Sequence, residues 1–400
     1  MENVKLGLKE NWKQFTLLVI INAFVGGMVG LERSILPKIA EAEFGIAAKT
    51  AILSFIAVFG VVKAVSNYYA GALANKTGRK KLLTLGWIFA IPVPFILMFA
   101  DNWNWIIAAN IFLGINQGLA WSSTVVMKID LVGEKNRGLA MGLNESAGYV
   151  AVALVAMLTG FIASNYGIRP YPFYIGIGLI ALGLFGSAFL IKDTKHHVAK
   201  ETAKSNFPRL RNTFADTTLF NKNLSSITQA GVVNNLNDGM MWGLFPILLS
   251  ARNFTLAEIG IITAIYPGVW GFGQLVTGRL GDMFHKKRIL FLGMLLQAGA
   301  LFGLFCSDLY AEFIIYSIIL GAGTALVYPN FMAAIADFTH PTDRPKSIGV
   351  FRLWRDMGYA IGAILTGFIA DYLGSEYAIL IIGVLTLISA MVIQFRMEGK

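Results

Sequence analysis

The chain has 400 residues, of which 56% are hydrophobic and 14% charged, with a mean hydropathy of +0.63 and a formal net charge of +10. That leaves too little polar material to coat a water-soluble core of this size, which excludes a soluble enzyme or regulatory domain and puts the chain in lipid. Its single cysteine, Cys306, excludes an internal disulfide and a multi-cysteine metal centre, and its apolar surroundings predict a small packing residue.

Apolar stretches of about 20 residues, the length that crosses a bilayer core as helix, occur twelve times. The predicted spans are 15 to 37, 50 to 74, 82 to 100, 104 to 127, 139 to 163, 172 to 192, 224 to 249, 256 to 281, 288 to 306, 309 to 335, 346 to 371 and 376 to 395. The residues before the first span lack the short apolar core and small-residue site of a cleavable leader, so that helix is expected in the mature protein. Residues 193 to 222 are polar and basic and read as a cytoplasmic linker containing a short amphipathic helix on the inner membrane surface. The adjacent His196 and His197 on it read as solvated residues. The expected organisation is a six-helix bundle over 1–192, the linker 193–222, and a second bundle over 223–400.

Short positive loops stay cytoplasmic. With both termini inside, only Lys38, Lys49, Arg169 and Arg252 of the 33 Lys and Arg fall in outer loops, and Arg33, Lys63, Arg352 and Arg355 fall within spans. The other 25 are cytoplasmic. The positive charge is thus a topology signal, and no nucleic-acid partner is expected.

The chain also repeats itself at an offset of 207 residues. Gly71-Ala-Leu-Ala-Asn75 returns as Gly278-Arg-Leu-Gly-Asp282, and Gly160-Phe-Ile-Ala as Gly367-Phe-Ile-Ala. The same offset pairs Leu113-Gly114 with Leu320-Gly321, Trp121 with Tyr328, Asp130 with Asp337 and Arg137 with Arg344. Two like halves in a membrane chain are the signature of a transporter that rocks around a site between them.

The segment Gly71-Ala-Leu-Ala-Asn75-Lys-Thr-Gly78-Arg79-Lys80-Lys81 resembles the loop between helices 2 and 3 of the major facilitator superfamily, of the form G-x-L-a-D-r-x-G-r-k/r, with a weaker copy at Gly278 to Arg288. The resemblance covers essentially the whole chain. It implies an all-α membrane fold of twelve helices in two pseudo-symmetric six-helix bundles. It also implies a gate at Gly71, Asn75, Gly78, Arg79, Gly278 and Asp282, in which the motif's acid clamps a helix N-terminus. Asn75 replaces that acid in the first copy while Asp282 keeps it in the second, so a lopsided clamp is expected.

Ionisable residues at membrane depth cost about 2.5 to 3.5 kcal/mol each on insertion scales and mark functional sites by default. The spans hold Glu32, Arg33, Lys63, Glu145, Asp238, Arg352, Arg355 and Asp356. Asn234, Asn237 and Asp238 stand at i, i+3 and i+4 and share one helix face, which is expected on a central cavity. Asn116 and Gln117 lie at a similar depth in the fourth span, roughly 18 to 20 Å from its outer end at about 1.5 Å per residue. Arg352, Arg355 and Asp356 repeat the same spacing, and the resemblance brings Lys63 near them. Two readings stay open for this group, an anion-selecting cluster or an ion-pair gate between the halves. Trp121 and Tyr328 read either as cavity walls or as packing between helices.

Glu32-Arg33 is similar to an acid-arginine pair in helix 1 of organic-anion and proton symporters of the superfamily, which implies a coupling acid and a substrate arginine. Glu145 reads either as a gate or as part of a proton path. The fifth span has no Gly-Pro step, which counts against a drug antiporter.

The expected function is secondary active transport by alternating access, coupled to protons through Asp238, Glu32 or Asp356, of a small anionic or zwitterionic solute. Arg33, Lys63, Asn116, Gln117, Trp121, Asn234, Asn237, Tyr328, Arg352 and Arg355 are the substrate-site candidates. The alternative is export of a cationic or apolar toxic compound. No phosphate-loop motif and no His-Glu-x-x-His or Gly-x-Ser-x-Gly motif is present, so neither ATP-driven transport nor an enzyme is expected, and no cofactor or metal is called for. The expected setting is a monomer in a prokaryotic inner membrane with both termini cytoplasmic.

Overall fold

A computed structural model describes residues 5–33, 35–46, 49–134, 136–202, 208–254 and 256–399. Every regular element among them is helical. The first span is α1 (Trp12–Arg33) followed by α2 (Leu36–Ala42), which restarts the chain with a proline in its first turn, where a missing N–H costs nothing. Next come α3 (Lys49–Thr77), then α4 (Arg79–Ala90) and α5 (Pro92–Phe99) as one span divided at Pro92. The fourth span is α6 (Trp103–Asn116), a π-helical turn (Gln117–Trp121) and α7 (Ser122–Val132). Then α8 (Arg137–Tyr166) and α9 (Tyr174–Phe185) complete the first six.

The linker forms α10 (Lys195–Thr202), α11 (Thr213–Ala215) and a π turn (Asp216–Phe220). The second half follows as α12 (Lys222–Gly243) with α13 (Phe245–Ala251), α14 (Leu256–Met283), α15 (Lys286–Phe305), α16 (Tyr310–Asp337), α17 (Arg344–Leu373) and α18 (Ser375–Arg396). Cys306 corrects its expectation: it follows the last turn of α15 and is exposed, because the helix ends before it can turn the thiol inward.

Eight stretches among the described residues are long and apolar enough to cross a membrane by length and composition. The predicted fourth, seventh and eleventh spans, which lie outside that set, carry Asn116 and Gln117, Asn234 to Asp238, and Arg352 to Asp356. These helices are polar because their inner faces are. Side chains such as Phe99, Phe189, Ile364 and Phe395 are 74–83% exposed, an arrangement that suits lipid and not water.

Chain contacts divide the molecule into two units. One comprises Met1–Gly133, Asn144–Asn206 and Pro341–Gly349; the other Glu134–Leu143, Phe207–His340 and Val350–Lys400. The two short segments that join the opposite half are repeat equivalents, at the starts of α8 and α17.

Within each unit, helices approach through glycine. A Cβ on Gly26 of α1 would stand 2.2 Å from the Gly148 carbonyl oxygen of α8, and one on Gly358 of α17 would stand 2.4 Å from the Val232 carbonyl oxygen of α12. Small residues let backbones meet where lipid supplies no hydrophobic force to hold helices together. Gly358→Val should therefore cost about 1–3 kcal/mol through overpacking and lower the melting temperature in detergent. Gly367→Ala, where nothing lies within 4 Å, should be neutral or slightly stabilising in the same assay.

Candidate functional site

In the first unit the polar residues converge on the π turn of the fourth span. Such turns insert a residue into the helix and recur at functional sites. Here the turn presents Trp121, whose Nε1 donates to Glu145 Oε1 at 2.9 Å. Asn144 Nδ2 donates to the same oxygen at 2.7 Å, and Lys128 Nζ donates to Asn144 Oδ1 at 2.5 Å. Asn22 Nδ2 reaches the Asn144 carbonyl at 2.8 Å and accepts from Thr124 Oγ1 through Oδ1 at 2.8 Å. The Lys63 ammonium lies 5.7 Å from the centroid of the Trp121 ring and equally far from Phe59.

Asn116 Nδ2 donates to the Gly86 carbonyl at 3.0 Å and Gln117 Nε2 to the Val25 carbonyl at 2.7 Å, so both tie neighbouring helices together. Glu32 accepts from Asn110 Nδ2 at 3.1 Å and is buried. The side chain of Arg33 lies outside the described residues. Lys128, fully buried, is a candidate that sequence reasoning missed: it stands one position past the end assigned to the fourth span.

In the second unit Asp238, on α12, accepts from the Tyr266 hydroxyl of α14, which also lies 3.3 Å from Thr324 Oγ1 of α16. Trp270 packs edge-on to Tyr328 at 5.0 Å, and the Arg355 guanidinium lies 5.0 Å from the Tyr328 centroid. Arg355 is also paired with Asp356 at 2.7 Å. Arg352 is buried on the same helix. The face expected to carry Asn234, Asn237 and Asp238 divides. Asn237 Nδ2 donates to Gln297 Oε1 at 2.7 Å and accepts from Thr386 at 3.0 Å, while Gln297 Nε2 donates to Asn234 Oδ1 at 3.1 Å. The two asparagines thus face α15 and α18, and Asp238 faces α14.

Pro329 in α16 has no N–H, which leaves the Ala325 carbonyl without its helical donor. The Thr277 hydroxyl donates to that carbonyl, as the membrane interior requires.

A third group lies at the motif loops. A Cβ on Gly71 would meet the Pro345 carbonyl oxygen at 2.3 Å, and one on Gly278 the Gly138 carbonyl oxygen at 2.5 Å, so the starts of α17 and α8 each sit against a motif glycine. Gly78 takes a φ of 93°, which favours glycine. Arg79 Nε pairs with Asp130 at 3.2 Å, and in the repeat Lys286 pairs with Asp337 at 2.8 Å and Arg137 with Asp337 at 2.7 Å.

The clamp residues differ in kind. Asp282 accepts from the Gly138 and Leu139 amides at 2.7 and 2.8 Å, an acid placed at the N-terminus of α8. Asn75 instead donates to the Thr342 carbonyl at 2.6 Å. Beside it, Glu201 of α10 accepts two hydrogen bonds from Arg344 at 2.8 and 2.9 Å. A linker helix thus brings an acid to the half whose loop has none. No repeat or motif pointed to Glu201.

Arg344 is 1% exposed, and with Glu201 neutralised its remaining acid is Asp130 at 4.0 Å, so most of a buried charge is left uncompensated. Glu201→Gln should destabilise by about 3–5 kcal/mol in thermal unfolding, and Glu201→Leu combined with Arg344→Leu should recover much of that loss. For Asp282, burial outweighs the two amide bonds and raises its pKa above the ordinary aspartate value of 3.8. Its contribution to stability is therefore full below that value and is lost as pH rises through the raised pKa. Asp282→Asn should remove this segment from the dependence of melting temperature on pH.

The family model described as Major Facilitator Superfamily matches residues 16–227 and 227–399. Multidrug resistance protein MdtG of Proteus mirabilis (strain HI4320) is 24% identical over 91% of both chains. MdtG of Escherichia coli (strain K12 / DH10B) is 21% identical over 95% of this chain and 94% of its own. Among solved structures, the human organic anion transporter MFSD10 (TETRAN) superposes with a TM-score of 0.78 at 15% identity, covering 96% of this chain and 99% of that one. The proton:xylose symporter XylE, bound to 6-bromo-6-deoxy-D-glucose, superposes at 0.74 with 12% identity and 97% of both chains. The twelve-helix pattern, the repeated loops and the match along nearly the whole length lead to one assignment: the chain belongs to the major facilitator superfamily and is a multi-pass membrane transporter.

Proposed function

We propose that the protein is a proton-coupled secondary active transporter that carries a small anionic or zwitterionic organic solute by alternating access. The observation that supports this reading is the repeat-equivalent pair of rings, Trp121 and Tyr328, each with a cation against it, Lys63 in one unit and Arg355 in the other. Each unit thereby offers a positive charge beside an aromatic wall, the combination that holds an organic anion in a mostly apolar site. Arg352 adds charge on the Arg355 helix.

Asp238 is the coupling acid in this reading. It is buried, lies near the middle of the predicted span 224 to 249 and is held by a neutral hydroxyl, whereas Asp356 is engaged by Arg355. In alternating access such an acid meets water from one side at a time, which ties its proton exchange to the transport step. The paired contacts of Gly71, Asn75, Gly78, Arg79, Gly278 and Asp282 serve as gates, and Glu145, bonded to Trp121, links ring position to the Lys128 network. The protein works as a monomer in a prokaryotic inner membrane, with both termini cytoplasmic.

A second reading, export of a cationic or apolar toxic compound, is favoured by the full-length likeness to two multidrug resistance proteins. Asp238 and Glu32 would then receive the substrate's charge.

A thermal-shift screen separates the two readings, since a ligand at about 100 times its Kd stabilises the folded state by roughly 2.7 kcal/mol. Stabilisation by organic anions or zwitterions is expected, lost in Lys63→Ala and in Arg355→Ala. Stabilisation by lipophilic cations alone, lost in Asp238→Asn, would sink the anion reading in favour of export. In proteoliposomes Asp238→Asn should abolish substrate-driven proton flux and leave substrate exchange intact. Retained proton flux would remove Asp238 from the coupling role.

A further inference from the structure

A cavity of about 880 Å³ opens in the second unit between the end of α18 and the starts of α12 and α15. Its polar lining is Lys222, Lys287, Arg396 and Glu398, three cations against one acid. Its apolar lining includes Ile388 and Phe395, 53% and 83% exposed on the outer face of α18. Outside the cavity, the π turn that precedes α12 exposes Leu219 and Phe220, 63% and 72%.

Arg396 is engaged: it donates to the Leu219 carbonyl at 2.9 Å and approaches Ser225 Oγ at 3.3 Å. The ammonium groups of Lys222 and Lys287 make no hydrogen bond or ion pair among the described residues, although the Lys222 carbonyl accepts from Ser226 Oγ at 2.6 Å. Both lysines stand in the first turns of α12 and α15, and no side chain caps α15. Asn221 caps α12 by accepting from the Asn223 and Leu224 amides, so the uncapped positive end of α15 is the one that adds to the two ammonium groups at this opening. The apolar strip along Ile388 and Phe395 leads away from the charged mouth, as the acyl chains of a lipid lead away from its headgroup. A soluble anion would find the charge but leave the strip uncovered.

We propose that this cavity is a binding site for an anionic phospholipid of the cytoplasmic leaflet, with its phosphodiester between Lys222 and Lys287 and an acyl chain against Ile388 and Phe395. Basic pockets on the cytoplasmic side of helix bundles take such headgroups, each Lys or Arg strengthening the attraction. Because Arg396 bonds the last turn of the linker, an occupied site fixes the linker's exit at the membrane surface.

The test counts bound lipid by native mass spectrometry on the full chain in dodecyl maltoside, given dioleoyl phosphatidylglycerol or dioleoyl phosphatidylcholine. Phosphatidylglycerol should be retained preferentially, and the double variant Lys222→Gln, Lys287→Gln should bind it roughly tenfold more weakly, with phosphatidylcholine unchanged. Both lysines are at least partly exposed, so the variant should keep its melting temperature. Lys5→Gln with Lys9→Gln removes equal charge elsewhere and should leave retention as it was. Unchanged phosphatidylglycerol binding in the first variant, or equal loss in both, overturns the proposal. Displacement of the lipid by millimolar inorganic phosphate overturns the lipid assignment.

Discussion

Hydrocarbon offers no hydrogen bonds, so backbone groups at membrane depth must find their partners inside the protein and a polar side chain there gains by doing the same, and much of this structure follows from that constraint. Asn116 and Gln117 are committed to carbonyls of neighbouring helices, Asn237 to Gln297 and Thr386, and Thr277 to the carbonyl freed by Pro329. Amide side chains hold the bundles together because an amide can donate and accept at once. Lys63, Glu145, Asp238 and Arg355 differ from these amides in carrying charge, each set against an aromatic side chain.

The repeat shows which features the scaffold demands and which are particular to each half. Arg79 and Lys286 hold Asp130 and Asp337 in the same way, and Gly71 and Gly278 meet the equivalent glycines Gly349 and Gly142. The cations on the two equivalent rings come from different helices, Lys63 from α3 and Arg355 from α17. A position that is lysine in α3 is Trp270 in α14, where it packs on Tyr328 instead. Each unit therefore sets a cation against the equivalent ring, supplied by a different helix in each.

The fold was legible because lipid leaves few choices: twelve apolar lengths, a positive-inside bias and a 207-residue repeat all constrain the same architecture. The candidate site was legible only as a set of residues. Helical spacing puts Asn234, Asn237 and Asp238 on adjoining positions but does not say which neighbour each one meets, and about 100° of arc is enough to send two of them to α15 and one to α14. Lys128 was hidden by a span boundary, since a lysine at the end of an apolar run looks like the beginning of a loop. Glu201 left no signal at all: it lies in the linker, outside the repeat, and its partner Arg344 is 143 positions away.

Cys306 is the sole thiol in 400 residues and is exposed at the C-terminal end of α15, whose other end carries Lys286 and Lys287. A thiol-directed reagent therefore marks one end of one helix and nothing else in the chain. The molecule comes with a built-in reporter of sidedness, so that the orientation of all its helices can be read from the accessibility of one sulfur atom in sealed vesicles, with no residue replaced.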